Sequence, residues 1–122
     1  MVEKGTLQLT KTNYQNQVIL QGRISGKPER KKLPSGDTIV QFRLIVDRKT
    51  GLKSKSKSAD KKKREVDTID IGVWKKKLQI KALSLVPEQF AKIEGAIRRN
   101  FWTTPAGLAS RYQIDAEVIE KL

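Results

Sequence analysis

The sequence predicts an all-β domain with one short helix, a five-stranded Greek-key barrel carrying a long basic hairpin between its second and third strands. Three observations lead there. Apolar residues recur at every second position in five separate runs, the period of a half-buried strand. Between the third and fourth runs the period lengthens to that of a helix. Prolines and glycines fall between and within these runs where a small curved sheet must turn or bend. A chain of 122 residues fits one domain and is too short for two independent cores.

In the first run, Gln17 to Gly26, Val18, Leu20 and Ile24 share one face and Gln21 and Arg23 the other. Pro28 and then Leu33-Pro34-Ser35-Gly36-Asp37 supply residues that fix or free φ, predicting a turn with Lys27, Arg30, Lys31 and Lys32 in a basic loop. Thr38 to Asp47 alternates again. Val40, Phe42, Leu44 and Val46 face inward, while Ile39 and Ile45 fall on the outer phase and are expected to pack against another subunit or a curled barrel end. The third strand, Glu65 to Trp74, turns Ile69, Ile71 and Val73 inward and Thr68, Asp70, Gly72 and Trp74 outward. Helical spacing of Leu78, Ala82, Leu85 and Val86, flanked by Ile80 and Leu83, predicts about three turns from Lys75 until Pro87 closes them. Gln89 to Trp102 returns to alternation with Ala91, Ile93 and Ile97 inward, Lys92, Glu94, Arg98 and Trp102 outward, and Gly95 at a bend. Phe101 has the inward phase and is expected in the core. After a turn at Thr103 to Gly107, the last strand, Ser110 to Ile119, places Tyr112, Ile114, Ala116 and Val118 inward against Gln113, Asp115 and Glu117. Three strands, a helix and two strands is the order of the OB-fold. Residues 1–15 form an N-terminal extension, with a possible extra strand at Thr6 to Thr10, and 16–122 form the barrel domain with a flexible basic loop at 49–64.

That loop, Lys-Thr-Gly-Leu-Lys-Ser-Lys-Ser-Lys-Ser-Ala-Asp-Lys-Lys-Lys-Arg, holds one acid and almost nothing to bury, so it cannot offset the entropy of ordering. It is either a solvated loop or an arm that wraps phosphates and releases counterions, through Lys53, Lys55, Lys57, Lys61, Lys62, Lys63 and Arg64. The formal net charge of +13, from 26 basic and 13 acidic residues, draws polyanions to the whole surface. Cysteine and histidine are absent, which removes disulfides, thiolate chemistry, the usual general base and the commonest metal ligand. Asp67 and Asp70, three apart on a strand, point to opposite faces. No enzyme, metal site, cofactor or small-molecule substrate is expected. No apolar run approaches the roughly 20 residues that span a bilayer, and the N-terminus lacks the apolar stretch of a secretory signal, so the expected location is cytoplasmic.

Binders of single-stranded nucleic acid combine a cationic groove with exposed aromatic platforms. Trp74 and Trp102 both take the outward phase of their strands, Trp102 in step with Arg98 and Lys92, while Arg23 and Arg43 take it on the first two strands. An indole elsewhere is more often core or subunit packing. Two of them on polar faces beside arginines point to base stacking.

Asn16-Gln17-Val18-Ile19-Leu20-Gln21-Gly22-Arg23-Ile24, Pro28-Glu29, Pro34-Ser35-Gly36 and Phe42-Arg43-Leu44, followed by Ile93-Glu94-Gly95-Ala96-Ile97-Arg98 and Trp102-Thr103, resemble the bacterial single-stranded DNA-binding proteins. The resemblance covers about Asn16 to Ile119. It implies an OB-fold that assembles, usually as a homotetramer, and wraps single-stranded DNA in replication, recombination and repair, near the bacterial nucleoid. By position it carries stacking roles onto Trp74 and Trp102 and basic contacts onto Lys31, Lys53, Lys76 and Arg98. Thr50 and Thr68 stand at two further positions where the family has aromatics, and Pro87-Glu88 replaces its Lys-Gly turn. The sequence ends at Leu122 without the family's Gly-rich linker and acidic tip. A shortened form, a tailless paralogue and a dimeric relative like primosomal replication protein N remain open, a tetramer fitting the first two and a dimer the third. A basic protein-interaction module is a further alternative, one that binds DNA weakly.

Overall fold

The computed structural model describes residues 13–48 and 65–122. Its elements are β1 (Val18–Lys32), β2 (Thr38–Asp47), β3 (Val66–Val73), α1 (Lys76–Leu83), β4 (Phe90–Thr104) and β5 (Gly107–Lys121). The strands close into a barrel in the order β1-β2-β3-β5-β4, with β1 paired to both β2 and β4. This is the five-stranded OB-fold barrel with one short helix that the element order predicts. Residues 1–12, including the possible strand at Thr6 to Thr10, and the basic segment 49–64 lie outside the described residues. The flanks of that segment are adjacent: Asp47 pairs with Val66, and the Arg48 N–H donates to the Glu65 carbonyl at 3.0 Å.

Ile24, Val40, Leu44, Ile71, Val73, Ile93 and Ile119 fill the interior. α1 closes one end of the barrel by adding Ala82, and Leu85 follows it into the core. The helix is eight residues rather than the expected three turns. Ser84 ends it: its backbone N–H and its Oγ both donate to the Lys81 carbonyl, at 3.1 and 2.6 Å. Val86 is therefore left in solvent, and Ile80 and Leu83 also lie on the exposed side.

The expected loop at Lys27 to Lys32 is instead the second half of β1. Ser25 pairs with Arg43 and Glu29 with Gln41, so β1 carries extra residues against β2. Gly26 sits in this bulge at φ 79°, a left-handed conformation that costs glycine least, and Pro28, which has no N–H to offer a ladder, is buried beside it. The strand bends and continues, and only Leu33 to Asp37 turns, with the Gly36 N–H donating to the Leu33 carbonyl at 2.8 Å.

Ile39, on the outer phase and expected to pack against another subunit or a curled barrel end, is buried within its own chain. It packs over Gly72, where a Cβ would come within 3.1 Å of the Ile39 Cδ1. Ile45 is half-buried.

Four expectations for the core fail for two reasons. Ile97, Phe101 and Tyr112 carry the inward phase but are exposed, because β4 and β5 remain paired out to Thr104 and Gly107, far past the closed part of the barrel. Val118 is exposed and Ile119 buried because Glu94 pairs with Val118 and Gly95 with Ala116, which leaves Glu117 as an extra residue and reverses the phase beyond it.

Glu88 adopts φ 73°, a region that side-chain-bearing residues enter at a cost of roughly 1–2 kcal/mol. Its N–H donates to the Ile24 carbonyl at 2.8 Å and its carboxylate meets Arg23 at 3.0 Å. The resemblance places glycine here. That exposed ion pair is worth less than the strain, so Glu88→Gly is expected to raise unfolding stability by about 1 kcal/mol in urea titrations, while Glu88→Ala lowers it or leaves it unchanged.

Candidate nucleic-acid interface

The outer surface of β2 and β3, the second half of β1 and the outward face of the β4–β5 ribbon join into one basic face. A cleft of about 410 Å³ lies in it, with Lys27 and Lys31 from β1, Arg43 from β2, Asp70 from β3 and Arg111 from β5 at its walls. Asp70 organises these cations. Arg43 Nε donates to its Oδ1 at 3.2 Å, and Arg111 Nε stands 3.6 Å from its Oδ2. One carboxylate thus holds two guanidiniums at the surface and neutralises half of their charge.

The floor is polar but self-satisfied. Gln41 Nε2 donates to Gln113 Oε1 at 3.4 Å, and Gln113 Nε2 donates to Asp115 Oδ1 at 3.0 Å. Gln113 is buried because it lies across Gly72, where any Cβ would collide with the amide nitrogen. Glycine at 72 keeps this floor flat.

Trp102 pairs with Ala109 on the outward face of the β4–β5 ribbon and is 44 % exposed. The same face carries Arg98, which stands 3.6 Å from Asp115, and Arg111 opposite Asn100. Trp74 follows β3, in step with Asp70 and Gly72, and is 43 % exposed. Its carbonyl, with those of Val73 and Thr38, accepts from the buried Gln79 Nε2 at 3.2, 2.9 and 3.0 Å. Gln79 therefore sets the backbone that carries Trp74.

Of the residues singled out in the sequence, Trp102, Arg98, Arg43 and Lys31 share this face. Trp74 lies at its helix end, where Lys76 begins α1 and is exposed. Arg23 is turned to Glu88 and does not line the cleft. Lys53, Lys55, Lys57, Lys61, Lys62, Lys63 and Arg64, like Thr50, lie outside the described residues. Sequence reasoning missed Arg111, although it shares the outward phase of Gln113, and Asp70 as the residue that positions Arg43. The sequence places Lys27 in a loop, whereas the structure puts it beside the cleft. Among the described residues no group of three or more His, Cys, Asp or Glu side chains is arranged to hold a metal, and no helix is long and apolar enough to cross a membrane.

The model of the single-strand binding protein family matches residues 15–122. The chain belongs to that family. Within the family it resembles the single-stranded DNA-binding protein of Treponema pallidum, with 25% identity over 107 residues, 88% of this chain and 57% of that protein. It also resembles the single-stranded DNA-binding protein of Halalkalibacterium halodurans, with 29% identity over 92 residues, 75% of this chain and 51% of that protein. The chain thus spans little more than half the length of these relatives. The solved structure of the Plasmodium falciparum SSB complex with ssDNA shares the barrel fold, with a TM-score of 0.67, 20% identity, and coverage of 89% of this chain and 96% of that one.

Removing the Gln79 amide takes the donor from three carbonyls, of which the bond to Val73 is fully buried. Gln79→Leu, nearly the same in shape, is expected to lower stability by about 2 kcal/mol in chemical denaturation, and a loss below about 0.5 kcal/mol would mean that water replaces the amide.

Proposed function

We propose that this chain binds single-stranded DNA, largely without sequence preference and without catalysis, along the basic face that carries Trp102. The observation that supports this most is the sharing of one surface by an exposed indole and the cations Arg98, Arg111, Arg43, Lys27 and Lys31. A bare base stacks on the ring while phosphates meet the cations, a combination that every nucleotide satisfies. The lack of sequence preference has its own support: Gln41 and Gln113, the amides placed to read base edges, are bonded to each other and to Asp115. Membership of the single-strand binding protein family and the names of its relatives agree with this reading.

The basic segment 49–64 serves in this proposal as an arm for phosphates, and Trp74 as a second platform. The chain acts in the cytoplasm beside the nucleoid, in replication, recombination and repair. It does so as a homo-oligomer, with a tetramer favoured. The support for assembly is a pair of exposed apolar side chains, Ile19 of β1 and Val118 of β5, which lie either side of Glu94 of β4 in register.

Loss of one stacked base costs roughly 1–3 kcal/mol, whereas loss of one phosphate contact lowers the salt slope by about 0.7. Trp102→Ala is therefore expected to weaken oligo-dT binding about tenfold or more with the log-log salt slope unchanged, and Arg111→Ala to lower the slope. Unchanged affinity in a folded Trp102→Ala protein overturns the stacking role.

A further inference from the structure

The β4–β5 ribbon has a second face. Beyond the closed part of the barrel, side chains with the core's own phase emerge into solvent, and three of them form a ladder. The Arg99 guanidinium lies 4.9 Å from the centre of the Phe101 ring, its neighbour on β4, and 5.3 Å from that of Tyr112, its cross-strand partner on β5. Phe101 is 56 % and Tyr112 58 % exposed, so each ring holds the cation and still offers much of its surface.

The charge on this ladder is open. Arg99 Nε and Nη2 approach Ser110 Oγ at 3.2 and 3.1 Å, and among the described residues no carboxylate pairs with it. By contrast, Arg98 and Arg111 on the opposite face each stand beside an aspartate. A cation fixed between two exposed rings and lacking an acid is a platform for a flat aromatic group that brings its own negative charge.

We infer that the Arg99, Phe101 and Tyr112 ladder is a second stacking site for single-stranded nucleic acid, on the face of the ribbon opposite Trp102. A strand bound at Trp102 then rounds the ribbon and stacks again on the far side. This rests on the reading that the Trp102 face binds such a strand. A second copy of the chain is a poorer occupant, because a molecule of formal net charge +13 meets this open cation with like charge overall. A polynucleotide brings both the ring and the phosphate.

The test is Phe101→Ala/Tyr112→Ala in the full chain. Both side chains are exposed, so the barrel keeps its core. Affinity is measured for an oligo-dT of about 6 nucleotides, enough for one face, and for one of about 16, enough to round the ribbon. The proposal expects a loss of about tenfold or more on the longer strand and less than about twofold on the shorter. It also expects an unchanged sedimentation coefficient, and photo-crosslinks from 5-iodouracil oligonucleotides to Phe101 or Tyr112 in the unmodified chain. Equal affinity for the longer strand before and after substitution overturns it. So does a change in sedimentation with no crosslinks on this face, which assigns the ladder to self-association. Trp102→Ala measured in parallel separates the two claims: if it alone weakens binding, the primary face stands and the second fails, and if neither variant does, the primary reading has failed.

Discussion

Closure of the barrel rests on a short parallel contact, in which Ile71 lies opposite Ile114 and Gly72 opposite Asp115. On one side of it, β4 and β5 are inner walls of a core that contains Ile93, Ile114, Ala116 and Ile119. On the other, the same two strands run on as an antiparallel ribbon to the turn at Thr104 to Gly107. The ribbon's outward face continues the surface of β2 and β3 and so brings Trp102 and Arg111 toward Arg43. Its inward face has no barrel left to line, and Arg99, Phe101 and Tyr112 emerge there. Both proposed stacking surfaces follow from where the barrel stops and the hairpin does not.

The acidic residues on the described surface do more to place cations than to stabilise the fold. Asp70 holds Arg43 and Arg111, Asp115 stands by Arg98, and Arg48 bridges to Asp67 and Glu65 at 2.9 and 3.5 Å where segment 49–64 leaves and rejoins the barrel. The arginine of each pair is more than half exposed, so water and salt screen these contacts. Weak pairs suit a surface that exchanges carboxylates for phosphates. With a formal net charge of +13, a large excess of cations remains after such pairing, and a polyanion is the ligand that compensates it.

Much of this architecture is legible in the sequence because it depends on period and punctuation. The alternation of Val40, Phe42 and Leu44 marks β2 from Thr38 to Asp47, the bounds the structure has. Residues whose fate depends on how far strands extend together are not legible in this way. Phe101 and Tyr112 have the phase of core residues, and nothing local says that the barrel has ended before them. Pro28 reads as a turn unless the bulge beside Gly26 is known. Glu117 shifts the register through a pairing mismatch visible only in the assembled sheet. For the candidate site, the outward phase of Trp102, Arg98 and Arg43 was accessible to simple alternation. The joining of Arg43 to Arg111 through Asp70 brings together residues 68 positions apart on one surface and depends on the topology.

The most direct test of the central claim, that bases stack on this face while cations take the phosphates, is tryptophan fluorescence titrated with a long oligo-dT strand and with duplex DNA at several salt concentrations. The expected result is strong quenching by the single strand, little by the duplex, and a log-log salt slope of several units at about 0.7 per phosphate contacted. Equal binding of both forms without quenching would contradict it and leave a surface that recognises only negative charge.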